Sequence, residues 1–277
     1  MDTFSQHELE VLEGKRFKFG KNWLSFIKTL NSERIVNAEK SLKEFLKCES
    51  LKDKKFIDIG SGSGMFSLAA KNLGANVFSF DYDGSSVEST QILKEKYYPT
   101  DENWKVVQGS VLDNEFLTSL GTFDIVYSWG VLHHTGSMWN AIQNIIPLVK
   151  QDGEIFIALY NDQGPTSKKW LKVKQIYNKG FFGKLFISSI FISYFLANFI
   201  FYSLKQGHSP FKKYKDYKQQ RGMSVYHDWH DWLGGLPFEV ASNEKVVDFF
   251  NERGFYLKKI RTNNGLGCNQ YVFKKLV

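Results

Sequence analysis

The sequence contains few of the residues that cross-link a fold or direct it out of the cell. Cysteine occurs twice in 277 residues, at Cys48 and Cys268, without the close spacing of a thiolate pair. We therefore expect neither a structural disulfide nor a thiolate-bound metal. The first residues lack the basic start and apolar run of a signal peptide, so we expect a cytoplasmic protein. Peripheral association with a membrane is compatible with this expectation.

The apolar residues predict an α/β fold with a parallel sheet that is covered on both faces. Strands are expected at residues 55–59, 76–80, 104–108, 123–128, 153–160, 254–261 and 268–275. An amphipathic helix is expected before them, at residues 31–47. We interpret residues 1–277 as one domain. Its parts are an N-terminal helical cap (1–50), a core (51–161), a helical insertion (162–238) and a C-terminal helix with the last two strands (239–277).

A glycine-spaced turn follows the first predicted strand and indicates a nucleoside-binding site. The turn region contains Asp58, Gly60, Ser61, Gly62 and Gly64. Asp81 ends the second strand 21 positions after Gly60, about the distance at which an acid bonds ribose hydroxyls in dinucleotide folds. A nicotinamide-binding turn, however, would have glycine where this chain has Met65. The carboxylate of Asp58 would also repel a pyrophosphate and attract a cationic ligand.

Two later segments, at residues 106–113 and 123–134, complete a resemblance to the class I S-adenosylmethionine-dependent methyltransferases. The resemblance implies a seven-stranded Rossmann-like sheet whose cofactor is S-adenosyl-L-methionine. It implies that residues 58–64 hold the methionine end and that Asp81 holds the ribose. Further cofactor contacts are implied for Tyr82, Ser110, Val111 and Trp129.

Two groups of residues are candidates for the acceptor side. His134 follows the fourth strand at the edge where ligands of open α/β sheets bind, and it is interpreted as a general base or as a structural residue. His227, Asp228 and Asp231 belong to an H-D-x-x-D-W-x-G-G-x-P-F-E pattern shared with mostly uncharacterised relatives. They are interpreted as a base with an orienting carboxylate, or as a polar turn that anchors the insertion. Because the pattern in those relatives has no counterpart to His230, no metal is expected.

The insertion between the fifth and sixth strands separates charge from apolar residues. Residues 162–221 contain twelve Lys and Arg and two Asp, a net charge of +10, whereas the whole chain carries +7. Within this segment, residues 185–204 contain no charge. This run predicts a buried lid or dimer interface, or a patch at residues 181–206 that contacts a membrane surface. A transmembrane span would place the last strands across the bilayer from the rest of the sheet.

These observations favour an S-adenosylmethionine-dependent methyltransferase that acts on a hydroxyl of a small molecule or glycan. The alternatives are a membrane-associated enzyme with a lipid-soluble, quinone-like or lipid-linked acceptor, a nucleic-acid methyltransferase, and a non-catalytic cofactor-binding module. Nucleic acid is disfavoured as a partner because its binding grooves need exposed aromatic residues among the cations, whereas the insertion segregates its apolar run from its basic flanks. The chain also lacks the Asn-Pro-Pro-Tyr type of motif used by amino-methylating relatives. The oligomeric state is left open.

Overall fold

The structure is a computed structural model that describes residues 6–207, 209, 232–265 and 267–276. Three helices come first: α1 (Gln6–Leu12), α2 (Gly20–Ile27) and α3 (Ser32–Leu46). The core follows as β1 (Lys55–Ile59), α4 (Met65–Asn72), β2 (Asn76–Asp81), α5 (Gly84–Tyr97), β3 (Trp104–Gln108), α6 (Asn114–Ser119), β4 (Phe123–Trp129), α7 (Met138–Ile145) and β5 (Val149–Tyr160). The insertion contributes α8 (Pro165–Tyr177) and α9 (Phe181–Lys205), and the chain closes with α10 (Asn243–Asn251), β6 (Phe255–Arg261) and β7 (Cys268–Lys275).

The seven strands form one sheet in the order β3-β2-β1-β4-β5-β7-β6. Strands β1 to β5 are parallel, and β7 runs antiparallel to both β5 and β6. The carboxyl ends of β1, β2, β3 and β4 therefore meet at one edge, where ligands of open α/β sheets bind. The predicted seven-stranded Rossmann-like fold is confirmed.

The core lies in two layers because successive side chains of each strand point to opposite faces of the sheet. Ile57 and Ile59 of β1 pack with Ile142 of α7 and Phe250 of α10. On the other face, Phe56 packs with residues of α3 and α4. Both faces of β1 are thus buried, as expected for a parallel strand covered by helices.

Local signals in the sequence set the ends of α3. The side chain of Asn31 accepts a hydrogen bond from the backbone N–H of Arg34, and Lys47 adopts a left-handed conformation after the last turn. An N-terminal cap of this kind stabilises a helix by about 1 kcal/mol. The helix expected at 31–47 therefore occupies Ser32–Leu46.

One strand begins earlier than predicted. β5 starts at Val149, which pairs with Phe123, whereas the sequence predicts a start at residue 153. Asp152 has a φ of +61° and precedes Gly153, a pair typical of a turn. The structure accommodates these residues in an irregularity of the β4–β5 pairing, so the strand continues through them.

Candidate active site

The turn after β1 requires glycine because its backbone closely approaches other parts of the protein. Gly60 has a φ of +76°, and a Cβ there would lie 2.4 Å from the Val131 side chain in the loop after β4. A Cβ on Gly62 would lie 3.2 Å from the indole of Trp23, which belongs to α2. The turn and its surroundings therefore form a narrow cradle that a side chain would fill. Gly64 completes the turn as the residue before α4.

Asp81 is held against this cradle by backbone hydrogen bonds. Its carboxylate accepts one from the N–H of Gly62 at 2.9 Å and one from the N–H of Asp83 at 2.9 Å. Burial raises the pKa of Asp81 to about 6, although these backbone donors act in the opposite direction. The arrangement brings an acid and the glycine turn together, as a ribose site beside a nucleoside cradle requires.

Asp58 lies in β1, two residues before Gly60. It is 2% exposed, and its carboxylate accepts a hydrogen bond of 2.5 Å from the Ser67 hydroxyl of α4. Ser67 in turn accepts from Ser79, which accepts from the indole N–H of Trp104. Burial raises the pKa of Asp58 to about 7. The carboxyl thus has partners within the core, and its contact with the cofactor stays a prediction.

The other predicted cofactor residues lie around the same edge. Trp129 ends β4 and is 43% exposed, whereas Val111 is 7% exposed and belongs to the core. The Ser110 hydroxyl accepts a hydrogen bond from the Leu112 N–H at 3.1 Å. Ser61 is buried and shares a hydrogen bond of 2.9 Å with the Thr90 hydroxyl of α5.

The N-terminal residues 6–31, which precede α3, lie over this edge. Within them, Arg16 contacts the site although the sequence did not predict it as a site residue. The Arg16 guanidinium donates to the backbone oxygen of His134 at 2.7 Å and to the Glu10 carboxylate at 2.6 Å. It also lies 5.1 Å from the ring centroid of Tyr82, the residue after β2. Arg16 therefore connects the β2 end of the cleft to the β4 end. Only its position in an aromatic and basic segment before the first long helix could have drawn attention to it.

His134 is fixed in one tautomer by Pro237, near the end of the insertion. Its Nδ1 lies 2.6 Å from the carbonyl oxygen of Pro237, and since a carbonyl only accepts, Nδ1 carries the proton. In the neutral ring, Nε2 is then the proton acceptor. Burial lowers the pKa of His134 to about 3, against the opposing effect of this hydrogen bond. The imidazole is therefore neutral throughout the physiological range.

His133 differs from its neighbour. Its Nδ1 accepts a hydrogen bond from the Tyr160 N–H at 3.3 Å, so Nε2 carries the proton. Among the described residues this buried Nε2 has no hydrogen-bond partner. The ring packs against that of Tyr160 with centroids 3.9 Å apart. These contacts give His133 a packing role beneath the loop.

The insertion contacts the site through Lys174 of α8, a residue that no motif in the sequence indicates. Its ammonium group is fully buried, donates to the carbonyl oxygen of Trp232, and lies 5.7 Å and 5.0 Å from the rings of Trp232 and Phe238. Glu239 accepts a hydrogen bond from the Met138 N–H at 3.0 Å. The Gly-Gly-Leu-Pro-Phe-Glu end of the H-D-x-x-D-W-x-G-G-x-P-F-E pattern lies beside His134, because Pro237 contacts the His134 ring and the Glu239 N–H donates to the His133 oxygen.

The remaining catalytic candidates, His227, Asp228 and Asp231, lie outside the described residues, and their roles stay predictions. Within the described ranges, no group of three or more His, Cys, Asp or Glu side chains is arranged to hold a metal ion.

Comparisons with known proteins identify the family of this chain. Residues 50–220 match a family model described as a methyltransferase domain. The chain is 26% identical over 161 residues to a ubiquinone biosynthesis O-methyltransferase of Glaesserella parasuis serovar 5, covering 58% of this chain and 66% of that protein. It is 34% identical over 200 residues to a ribosomal protein L11 methyltransferase of Prochlorococcus marinus, covering 64% and 63%. The matches thus span less than two thirds of these relatives.

A solved structure shows the same fold. Magnesium protoporphyrin IX methyltransferase from Synechocystis PCC 6803, solved with bound S-adenosylmethionine, superposes with a TM-score of 0.57 at 9% identity and covers 99% of this chain and 100% of that one. In this chain the glycine cradle and Asp81 lie together at the carboxyl edge of the same kind of sheet. The chain belongs to the class I S-adenosylmethionine-dependent methyltransferase family.

Proposed function

We propose that the protein transfers the methyl group of S-adenosylmethionine to a hydroxyl oxygen of a small molecule or glycan. The observation that carries the proposal is the fixed tautomer of His134 at the edge of the sheet where the cradle lies. A hydroxyl acceptor loses a proton as its oxygen is methylated, and Nε2 of a neutral His134 can receive it.

The cofactor side of the site follows from the cradle. The turn at Gly60, Gly62 and Gly64 would hold the methionine end, and Asp81 would accept hydrogen bonds from the ribose hydroxyls. When bound, the sulfonium supplies an electrophilic methyl group. Trp23 and Arg16, which lie over this edge, would exclude water from the cleft.

The low pKa of His134, about 3, limits what this residue contributes. A weak base removes a proton efficiently only from an acidic hydroxyl, so a phenol or enol suits the site better than an alcohol. Alignment of the acceptor with the methyl group would then supply most of the rate enhancement.

The name of the first relative supports oxygen as the acceptor atom. The first relative named above is an O-methyltransferase, whereas the second is named for a ribosomal protein.

A second candidate is a lipid-soluble acceptor of the same chemistry. A series of aromatic rings joins the insertion to His134, with centroid distances of 5.3 Å for Phe191 to Trp170, 5.8 Å for Trp170 to Trp232, 6.1 Å for Trp232 to Tyr160 and 5.3 Å for Tyr160 to His134. Such surroundings favour an apolar, ring-bearing acceptor over a free sugar.

The test is formation of S-adenosylhomocysteine with matched panels of phenols, sugars and primary amines. We expect turnover with phenols, and we expect His134→Asn, which keeps an N–H near Pro237 but loses the Nε2 lone pair, to lower kcat by about 100-fold. The affinity for S-adenosylhomocysteine should not change. Turnover with amines and none with hydroxyl compounds would contradict the proposal.

A further inference from the structure

Helix α9 exposes its apolar side chains. It is 25 residues long, and its most apolar 18-residue window has a mean hydropathy of 1.8, yet 6% of that window is buried. Phe181 and Phe182 are 73% and 82% exposed, and Leu185, Phe186, Phe201 and Leu204 are each more than half exposed. Exposed apolar patches of this extent mark surfaces that bind another protein or a membrane.

A narrow face of α9 attaches it to the rest of the insertion. Ile187 is buried against Tyr177 of α8 and Leu233, and Phe191 and Phe195 pack at the same cluster. Of the 25 residues of α9, 16 are exposed, and they occur along the helix from Phe181 to Lys205. The helix is thus fixed on the body of the protein while its other faces are accessible to a partner.

The partner is indicated by charge. Six exposed lysines lie on α8 and around the ends of α9: Lys168, Lys169, Lys172, Lys179, Lys184 and Lys205. Between residues 162 and 207 the only acidic residue is Asp162, and the sequence continues with five further Lys and Arg at 212–221. Outside residues 162–221 the chain carries a net charge of −3. An apolar surface bordered by cations is complementary to a bilayer that contains anionic lipids.

We propose that α9 lies in the plane of an anionic phospholipid bilayer and holds the protein on its surface. A span is excluded because β6 and β7 pair in the same sheet as β5, so the chain would have to cross back. The return segment would carry the cations of residues 212–221 through the hydrocarbon, each at high cost. A second copy fits less well, since two such helices would bring their lysines together.

The proposal is tested by flotation of the full chain, without cofactor, with vesicles of phosphatidylcholine alone or with one quarter phosphatidylglycerol. We expect flotation with the anionic vesicles and little with the neutral ones. Lys179→Gln with Lys205→Gln, one change at each end of α9, should lower the partition coefficient about fivefold per lysine. Lys52→Gln with Lys105→Gln, at exposed sites of the core, is the matched control and should leave binding unchanged.

The apolar contribution is tested separately. Phe182→Ser with Phe186→Ser should lower partitioning by about tenfold or more per phenylalanine. Ile92→Ser with Tyr97→Ser, at exposed positions of α5, should not. Circular dichroism and binding of S-adenosylhomocysteine confirm that each variant is folded.

Three results would overturn the proposal. They are failure of the wild type to float with anionic vesicles, equal flotation of the α9 variants, and a wild-type dimer in light scattering that Phe182→Ser with Phe186→Ser converts to a monomer. The last result would assign the surface to a second copy of this chain. Because the assay contains no methyl donor or acceptor, each outcome is independent of the proposed methyl transfer.

Discussion

The close approach of Gly60 to Val131 allows a quantitative test of the cradle. In Gly60→Ala the new Cβ would lie 2.4 Å and 2.5 Å from the two γ-carbons of Val131 and 2.9 Å from its Cβ. A left-handed φ costs a residue with a Cβ about 1–2 kcal/mol. Overpacking adds about 1–3 kcal/mol. We therefore expect Gly60→Ala to lower the free energy of unfolding by about 2–5 kcal/mol.

Gly130→Ala separates these two contributions. Gly130 has the same φ of +76° as Gly60, but a Cβ there meets nothing within 4 Å. Gly130→Ala should therefore lower the free energy of unfolding only by the conformational cost of the left-handed φ. Adding Val131→Ala to Gly60→Ala removes both γ-carbons and leaves the contact with Cβ, so a double-mutant cycle should give a favourable coupling energy of about 1 kcal/mol or more. The assay is urea unfolding at equilibrium of five proteins: wild type, Gly60→Ala, Gly130→Ala, Val131→Ala and the double variant Gly60→Ala with Val131→Ala. Equal losses of stability in Gly60→Ala and Gly130→Ala, or no coupling to Val131, would show that the Gly60–Val131 contact does not limit the turn.

Three further predictions concern ionisable groups. The pKa of Asp58 is raised to about 7, so the folded state holds a proton that the unfolded state releases near pH 4, and stability should fall as the pH rises through this window. Asp58→Asn should reduce that slope, leaving the contribution of Asp81, and should raise Tm at pH 8, measured by thermal unfolding; an unchanged slope would contradict the assignment. Because the pKa of His134 is about 3, the plot of kcat against pH should show no change from titration of His134 between pH 5 and 8. A fall in kcat below about pH 6.5 that disappears in His134→Asn would show that burial does not keep the ring neutral. Arg16→Ala removes the hydrogen bond from the Arg16 guanidinium to the His134 carbonyl oxygen and should raise the Kd for S-adenosylhomocysteine several-fold, as measured by calorimetry. Lys15→Ala, at the exposed neighbouring position, should leave that Kd unchanged.

Much of the core could be predicted because its signals are local. Each of the first four strands is a short apolar run bounded by polar or glycine residues, and the structure places their ends within one residue of the expected positions. The start of β5 could not be predicted, because Asp152 and Gly153 are typical of a turn and only pairing with β4 extends the strand through them.

The contacts of the site depend on residues far apart in the chain. Arg16 binds a backbone oxygen 118 positions away, and a backbone acceptor leaves no mark in the sequence. The burial of Lys174 likewise depends on Trp232 and Phe238, which no periodicity connects to α8. For α9, length and composition are equally typical of a buried helix and of an interfacial one. Its exposure therefore had to come from the structure.

The turn after β1 and Asp81 are expected to receive S-adenosylmethionine together. Isothermal calorimetry of wild type and Asp81→Asn with S-adenosylhomocysteine tests it most directly. We predict saturable binding by the wild type and a Kd at least tenfold higher in Asp81→Asn, since hydrogen bonds to a charged acceptor contribute about 1.5–3 kcal/mol. Heat of binding with a nicotinamide dinucleotide and none with S-adenosylhomocysteine, or an unchanged Kd in the variant, would contradict the account.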